Sequence, residues 1–357
     1  MKFVLKFFGW AIGLLVAFAL VAVLASRRPD ISHERLEAVF ANQASQYVLL
    51  PSPDLGGVSG QLRVHFRDQG PRDAPVVVMV HGFSASLHTW EPWVERLTDT
   101  YRVITLDLPG HGLTRAPEGF QASIEAFRDV VLAFVDDQGL ETFTLVGSSM
   151  GGNTSWQVAL AAQERLDGLV LVGASGWPDE RLDDADEPLV FRIIGNPILG
   201  PIVRDLDNRA LIEDGLKNSF VDQSLVDVAM VDRYAMMARA PGHRDILLQI
   251  ATGFDTRTFA SEATIGDILV PSLVMHGEED NLVPFTHGER FANTLPNAIT
   301  AFYADIGHIP QEEIPDLSAQ DLRAFLQTVY PDDPSGEGED VDLEGVDTDG
   351  EAAPAQP

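Results

Sequence analysis

One short stretch of the chain could carry nucleophilic chemistry. Gly147, Ser149 and Gly151 form a Gly-x-Ser-x-Gly pattern, and only this register places a glycine two positions to either side of the serine. An apolar, β-rich run over residues 143–146 precedes the pattern, and apolar residues at helical spacing follow it over residues 156–162. The pattern therefore falls at a predicted strand-to-helix turn, where a strained serine can project its hydroxyl. Three fixed positions also occur by chance in such loops, so Ser149 needs supporting residues elsewhere.

A serine nucleophile needs a base that accepts its proton and a third group that orients the base. His308 lies just after the last predicted strand, residues 300–303. Of the nine histidines, it is the only one at a strand end downstream of an acidic candidate. That acid is Asp280, which follows another apolar run over residues 271–277, with Glu279 as the alternative. The sequence thus offers a serine, a histidine and a carboxylate for nucleophilic catalysis.

These three side chains meet only if their strands end at one edge of a sheet. Continuous apolar runs over residues 75–80 and 169–172 are typical of strands buried on both faces of a parallel sheet. Helical patterns separate the strands, so we predict an α/β fold: a mostly parallel sheet with helices on both faces. Ligands bind such sheets at the carboxyl ends of the strands. Ser149, Asp280 and His308 are all expected there.

The first buried strand, residues 75–80, ends in His81, Gly82 and Phe83. We expect the backbone N–H of Phe83 to donate into a site beside Ser149. His81 is interpreted as a structural residue that holds the tight turn.

Three further polar residues are also predicted to have no chemical role. Asp107 and His111 follow the strand over residues 102–106 and are expected to tie their loop to its own backbone. His65 lies on the outward phase of a predicted half-buried edge strand, residues 61–67, and is expected to be solvated.

The rest of the chain divides into modules. Between residues 177 and 255 the β pattern stops and apolar residues recur at helical spacing. This segment is too long for an ordinary connection between two strands, so we predict a helical cap over the strand ends. The predicted modules are an N-terminal anchor (1–30), a tether with one helix (31–60), the catalytic core (61–176 and 256–330), the cap (177–255) and a disordered acidic tail (331–357).

Residues 7–26 contain no charge, and twenty helical residues are long enough to cross a hydrocarbon core of about 30 Å. We therefore predict a membrane-anchored protein with a single-pass N-terminal helix; a cleaved signal peptide is the alternative. If the source is bacterial, the catalytic domain is expected on the extracytoplasmic side of the membrane.

Composition excludes some classes of function. Cysteine is absent, so disulfides, thiolate metal sites and a cysteine nucleophile are ruled out. The formal net charge of -30 makes nucleic acid an unsuitable partner, because phosphate binding needs a basic surface.

The motifs together resemble those of the α/β-hydrolase superfamily. Four of them match in order: residues 81–83, 107–112, 147–152 and 277–284. The resemblance implies a nucleophile at Ser149, a general base at His308, an orienting acid at Asp280, and an oxyanion hole made by the N–H groups of Phe83 and Met150. It implies no metal and no organic cofactor.

Within that superfamily, the elbow, the mid-sized cap and the N-terminal segment are most similar to membrane-associated monoacylglycerol lipases and bacterial esterases. The expected reaction is hydrolysis of a carboxylic ester, including that of a lipid with one acyl chain. Two other hypotheses stay open: a C–C bond hydrolase of the meta-cleavage type that uses the same three residues, and a catalytically silent, membrane-tethered binding protein.

Overall fold

The computed structural model describes most of the chain. The described residues are 25–51, 60–178, 204–253 and 258–331, with the single positions 10, 14, 17, 21, 196 and 200. Their strands form one sheet: β1 (Ser45–Pro51), β2 (Gln61–Gln69), β3 (Val76–Val80), β4 (Arg102–Leu106), β5 (Phe143–Ser148), β6 (Leu166–Val172), β7 (Ser272–Gly277) and β8 (Ala298–Tyr303). The order across this sheet is β1-β2-β4-β3-β5-β6-β7-β8. Among these described strands, β1 with β2 and β2 with β4 pair antiparallel, and the other neighbours pair parallel.

Helices connect the strands. The described α-helices are α1 (His33–Phe40), α2 (Glu91–Leu97), α3 (Ile124–Asp137), α4 (Met150–Ala162), α5 (Arg209–Ser219), α6 (Val228–Met237), α7 (His243–Thr252), α8 (Glu262–Gly266), α9 (Phe285–Thr294), α10 (Pro310–Glu313) and α11 (Pro315–Val329). Short 3₁₀ turns span Leu87–Trp90, Gln163–Arg165 and Gln223–Leu225. Ser123 caps α3, because its hydroxyl accepts a hydrogen bond from the N–H of Ala126.

Both faces of the sheet are buried. Along β3, Val78 and Val80 belong to one hydrophobic cluster, while Val77 and Met79 belong to a second cluster on the other face. Helix α3 packs into the first cluster, and α2 and α11 pack into the second. The prediction of a mostly parallel sheet with helices on both faces is therefore confirmed.

The first strand of the sheet was not predicted. Residues 45–51, taken as part of a tether, form β1 and pair with residues 61–67 of β2, so β2 is not an edge strand. His65 is consequently fully buried rather than solvated. Its Nδ1 lies 2.6 Å from Asp107 Oδ2 and its Nε2 lies 2.9 Å from Ser45 Oγ. The prediction for His65 was wrong because both partners come from other parts of the chain.

Where the structure describes residues 177–255, they form α5, α6 and α7 and contain no named strand. These helices separate β6 from β7, which are neighbours in the sheet. Part of the predicted cap, including residues 179–195, lies outside the described residues. Its boundaries, like those of the other modules, stay a prediction.

The predicted membrane localisation is wrong on the structural evidence. No helix among the described residues is both long enough and apolar enough to span a membrane. Most of residues 7–26, on which that prediction rested, lies outside the described residues, as do residues 332–357 of the predicted tail.

Candidate active site

Ser149 sits at a sharp turn between β5 and α4. Its backbone has φ +55° and ψ -116°, a conformation that non-glycine residues rarely adopt. Hydrogen bonds hold the turn on both sides: the N–H of Ser149 donates to Val172 O at 2.9 Å, and Ser149 O accepts from the N–H of Ser175 at 3.2 Å. The surrounding sheet thus fixes a strained residue in place, which is a common property of functional sites.

Two glycines let α4 approach the sheet closely. A Cβ at Gly147 would lie 2.3 Å from both Gly151 O and Ser155 Oγ. A Cβ at Gly151 would lie 2.1 Å from Val80 O at the end of the neighbouring β3. No side chain fits at either position, so the glycine pattern follows from the packing of the turn.

Asp280 and His308 form a buried pair at the ends of β7 and β8. His308 Nδ1 lies 2.6 Å from Asp280 Oδ2, while the other carboxylate oxygen accepts the N–H groups of Leu282 and Val283, each at 2.8 Å. His276 adds a second imidazole, with Nε2 at 3.1 Å from Asp280 Oδ2. Burial opposes ionisation of the carboxyl, but the interactions with His308 and His276 outweigh it and hold the pKa of Asp280 well below its usual value. Asp280 is therefore an ionised acceptor for the imidazole of His308.

The loop that carries His308 is anchored on three sides. The N–H of His308 donates to Ser219 O at 2.8 Å, and the N–H of Gly307 donates to Glu313 Oε2 at 2.8 Å. Gly173, with φ +51°, faces the imidazole so closely that a Cβ there would lie 3.2 Å from His308 Nδ1. Because Ser219 ends α5, the helical segment itself helps to position the histidine.

Ser149 and His308 line one cavity of about 120 Å³. Phe83, from the loop after β3, lines it too, and α5 and α6 contribute Leu216 and Tyr234. The carboxyl ends of the strands and the predicted cap helices thus enclose the same space.

Backbone donors also approach this cavity. The loop after β3 lies against the serine, since a Cβ at Gly82 would be 3.1 Å from Ser149 Cβ. Phe83 follows Gly82, and Met150 is the first residue of α4. In the part of the chain that the structure describes, neither the N–H of Phe83 nor that of Met150 has a protein acceptor. An unsatisfied N–H at a helix start is suited to bind negative charge.

The residues predicted to be structural have structural contacts. His81 donates from Nδ1 to Gly82 O at 2.8 Å and accepts the N–H of Leu108 at Nε2, 3.0 Å away. Asp107 accepts the N–H groups of Leu87 and Leu113 at 2.7 and 2.8 Å. The histidine and the carboxylate therefore tie two loops to the ends of β3 and β4.

Sequence reasoning missed three contributors. His276, which supports Asp280, lies inside a predicted strand, and only its spacing of four residues from Asp280 gives a signal. Glu313 comes from the short polar helix α10, and Tyr234 comes from α6, whose sequence pattern is largely apolar; neither pattern points to the site. Glu279, the alternative acid, is exposed and is not the partner of His308. Among the described residues, no cluster of three or more His, Asp or Glu side chains could hold a metal ion.

The sheet order, the turn at Ser149 and the buried Asp–His pair define an α/β hydrolase fold with a site at the strand ends. A family model described as the alpha/beta hydrolase fold matches residues 75–192. The chain has the α/β-hydrolase fold and is a hydrolase of that fold. The more specific resemblance to monoacylglycerol lipases is not confirmed.

Individual relatives differ in their reactions. The chain is 29% identical over 270 residues to a dihydrolipoyllysine-residue acetyltransferase component of the acetoin cleaving system from Cupriavidus necator. The aligned region covers 74% of this chain and 66% of that protein. It is 27% identical to a 2-hydroxy-6-oxo-6-phenylhexa-2,4-dienoate hydrolase from Burkholderia cepacia, over 71% of this chain and 87% of the relative. Among solved structures, a thermophilic esterase from Thermogutta terrifontis is similar with a TM-score of 0.66 and 25% identity, over 80% of this chain and 99% of the esterase.

Proposed function

We propose that the protein hydrolyses a carboxylic ester through an acyl-enzyme intermediate. The observation that carries the proposal is the shared cavity of Ser149 and His308, with His308 Nδ1 held by Asp280. Because Nδ1 is occupied, Nε2 is the ring nitrogen left to accept the proton of the serine hydroxyl. Similarity to an esterase structure supports the ester as the bond that is cleaved.

In the proposed first half-reaction, Ser149 Oγ attacks the ester carbonyl and His308 Nε2 takes the hydroxyl proton. The negative charge on the carbonyl oxygen is stabilised by the N–H groups of Phe83 and Met150, each worth about 3 kcal/mol in comparable sites. His308 then gives its proton to the leaving alcohol, and the acyl group stays on Ser149. Asp280 holds the imidazole in the required tautomer throughout.

In the second half-reaction, water replaces the alcohol. His308 takes a proton from the water as it attacks the acyl carbonyl, and the proton passes to Ser149 as the carboxylic acid leaves. These steps need no metal or organic cofactor.

The second candidate reaction is hydrolysis of a C–C bond next to a carbonyl. The relatives that are hydrolases of 2-hydroxy-6-oxo-dienoates favour this alternative. It would use the same serine, histidine and carboxylate. Only substrate assays separate it from ester hydrolysis.

The test uses the full chain, a fluorophosphonate probe and p-nitrophenyl esters of acetate, butyrate and laurate. We expect one adduct, located at Ser149 by mass spectrometry, and ester turnover that Ser149→Ala abolishes. Ser148→Ala is the matched control. This variant should still be labelled at Ser149, because Ser149 is the serine that the turn projects. The chain-length profile would also show whether a single long acyl chain is accepted.

Labelling of Ser149 without turnover of any ester would favour the C–C hydrolase, to be checked with a 2-hydroxy-6-oxo-dienoate. A folded protein that the probe does not label at Ser149 would contradict the catalytic assignment and leave a binding protein as the explanation.

A further inference from the structure

Tyr234 brings a polar group from α6 into the cavity that holds Ser149 and His308. The nearby lining from Leu216, Leu282 and Ile309 is apolar. A phenol in such surroundings can contact a substrate that is bound at the serine.

The hydroxyl proton of Tyr234 is available for donation. The guanidinium of Arg233 lies over the ring of Tyr234, 5.6 Å from the ring centroid, and a guanidinium group has no acceptor, so Arg233 cannot take the phenol proton. In the described part of the chain, no acceptor pairs with the phenol O–H. Burial raises the pKa of Tyr234 well above its usual value, so the phenol stays protonated at ordinary pH.

The polar groups beside it are already engaged with each other. The hydroxyl of Thr89 donates to Glu312 Oε1 at 2.5 Å and accepts from Gln311 Nε2 at 3.3 Å. Arg233 lies 3.6 Å from the other oxygen of Glu312. Both carboxylate oxygens of Glu312 thus already have partners, Thr89 on one oxygen and Arg233 on the other.

We infer that Tyr234 is a specificity residue whose hydroxyl donates to a second acceptor oxygen of the substrate, such as an ether or carbonyl oxygen near the scissile ester. The inference rests on the proposed ester hydrolysis and adds the class of ester. A purely hydrocarbon substrate of the same shape would leave the buried O–H without a partner, which disfavours its binding.

The experiment compares esters that differ only by an ether oxygen in place of a methylene. One pair changes the acyl side: p-nitrophenyl 3-methoxypropanoate against p-nitrophenyl pentanoate. The other pair changes the alcohol side: 2-methoxyethyl butanoate against butyl butanoate. Each kcat/KM value is divided by the rate constant for hydroxide-catalysed hydrolysis of the same ester, which removes the inductive effect of the oxygen.

We expect the native protein to prefer the ether in at least one pair by about tenfold, the range of one hydrogen bond to a buried group. Tyr234→Phe should remove that preference while kcat/KM for the hydrocarbon ester changes by less than about twofold. Tyr303→Phe is the matched control: its phenol donates to Asp321 at 2.7 Å and does not line the cavity, so the preference should remain.

Equal rates for the ether and the hydrocarbon in both pairs would overturn the inference, as would a Tyr234→Phe variant that keeps the preference. A variant that slows all four esters alike would also overturn it, because Tyr234 would then act on the ester group itself. If no ester is hydrolysed and Ser149 is not labelled, the proposed function fails; turnover without an ether preference contradicts only the role of Tyr234.

Discussion

Asp280 receives two backbone N–H groups on one carboxylate oxygen and imidazoles on the other. This arrangement leaves the carboxylate with little rotational freedom, so it can hold His308 in one orientation. A negative charge at this position also stabilises the imidazolium that forms when His308 takes a proton.

Asp280→Asn should therefore lower kcat by about 10³- to 10⁴-fold, because an amide allows the wrong tautomer of His308. KM should change little, since Asp280 reaches the substrate only through His308. The measurement is steady-state ester hydrolysis, with circular dichroism to verify folding. Glu279→Gln, one residue earlier and exposed, is the control and should stay within about twofold of the native rate. The reverse ranking would transfer the role of the acid to Glu279.

Local sequence signals were sufficient to place three residues at the ends of their strands. Ser149 lies in a pattern with a defined turn, and Asp280 and His308 each follow a strand; their catalytic roles stay a prediction. His65 could not be predicted, since its burial depends on Ser45 and Asp107, which meet it only through strand pairing. Tyr234 had no local signal either, because its role depends on a cavity between distant elements.

At the scale of elements, the turn between β5 and α4 depends on close packing that only glycine permits. Gly151→Ala would place a methyl group against the backbone oxygen of Val80, which cannot move aside. We expect a loss of about 3 kcal/mol in the free energy of unfolding, measured by urea denaturation, with reduced labelling of Ser149. An unchanged midpoint would show that α4 can shift away from β3.

Gly215→Ala is the matched control for that substitution. Gly215 lies in α5 and is exposed, and a methyl group added to it would have no other atom within 4 Å. Alanine should therefore stabilise the helix by up to about 1 kcal/mol. Opposite signs for the two variants would separate steric conflict from the general effect of replacing glycine.

Buried strands were predicted well because continuous apolar runs have few other interpretations. The strand β1 was missed: residues 45–51 have a weak pattern, with Leu50 buried and Leu49 exposed, and their pairing with β2 is a long-range contact. The Pro and Gly residues that follow made a tether the simpler interpretation.

At the scale of the whole molecule, burial of histidines links stability to pH. Eight of the nine histidines are buried. Burial lowers the pKa of His81, His111 and His243, and it lowers the pKa of His88 to about 4, with Arg67 adding to the effect. The unfolded chain takes up these protons near pH 6.5, before the native state does. Stability should therefore fall as pH decreases from about 6.5 towards 4.

His88 allows a direct test of this linkage. Its Nε2 accepts from Arg67 at 3.0 Å, a contact that a protonated imidazole would lose. Near pH 5 the lowered pKa of His88 should cost the native state about 2 kcal/mol relative to pH 7.5. His88→Gln retains an acceptor for Arg67 but does not titrate, so its urea midpoint should fall less between pH 7.5 and pH 5 than that of the native protein. Protonation of carboxylates reduces the repulsion within this acidic chain in both proteins alike, so the difference between them isolates the histidine. Parallel pH profiles would mean that His88 is not protonated differently in the folded and unfolded states.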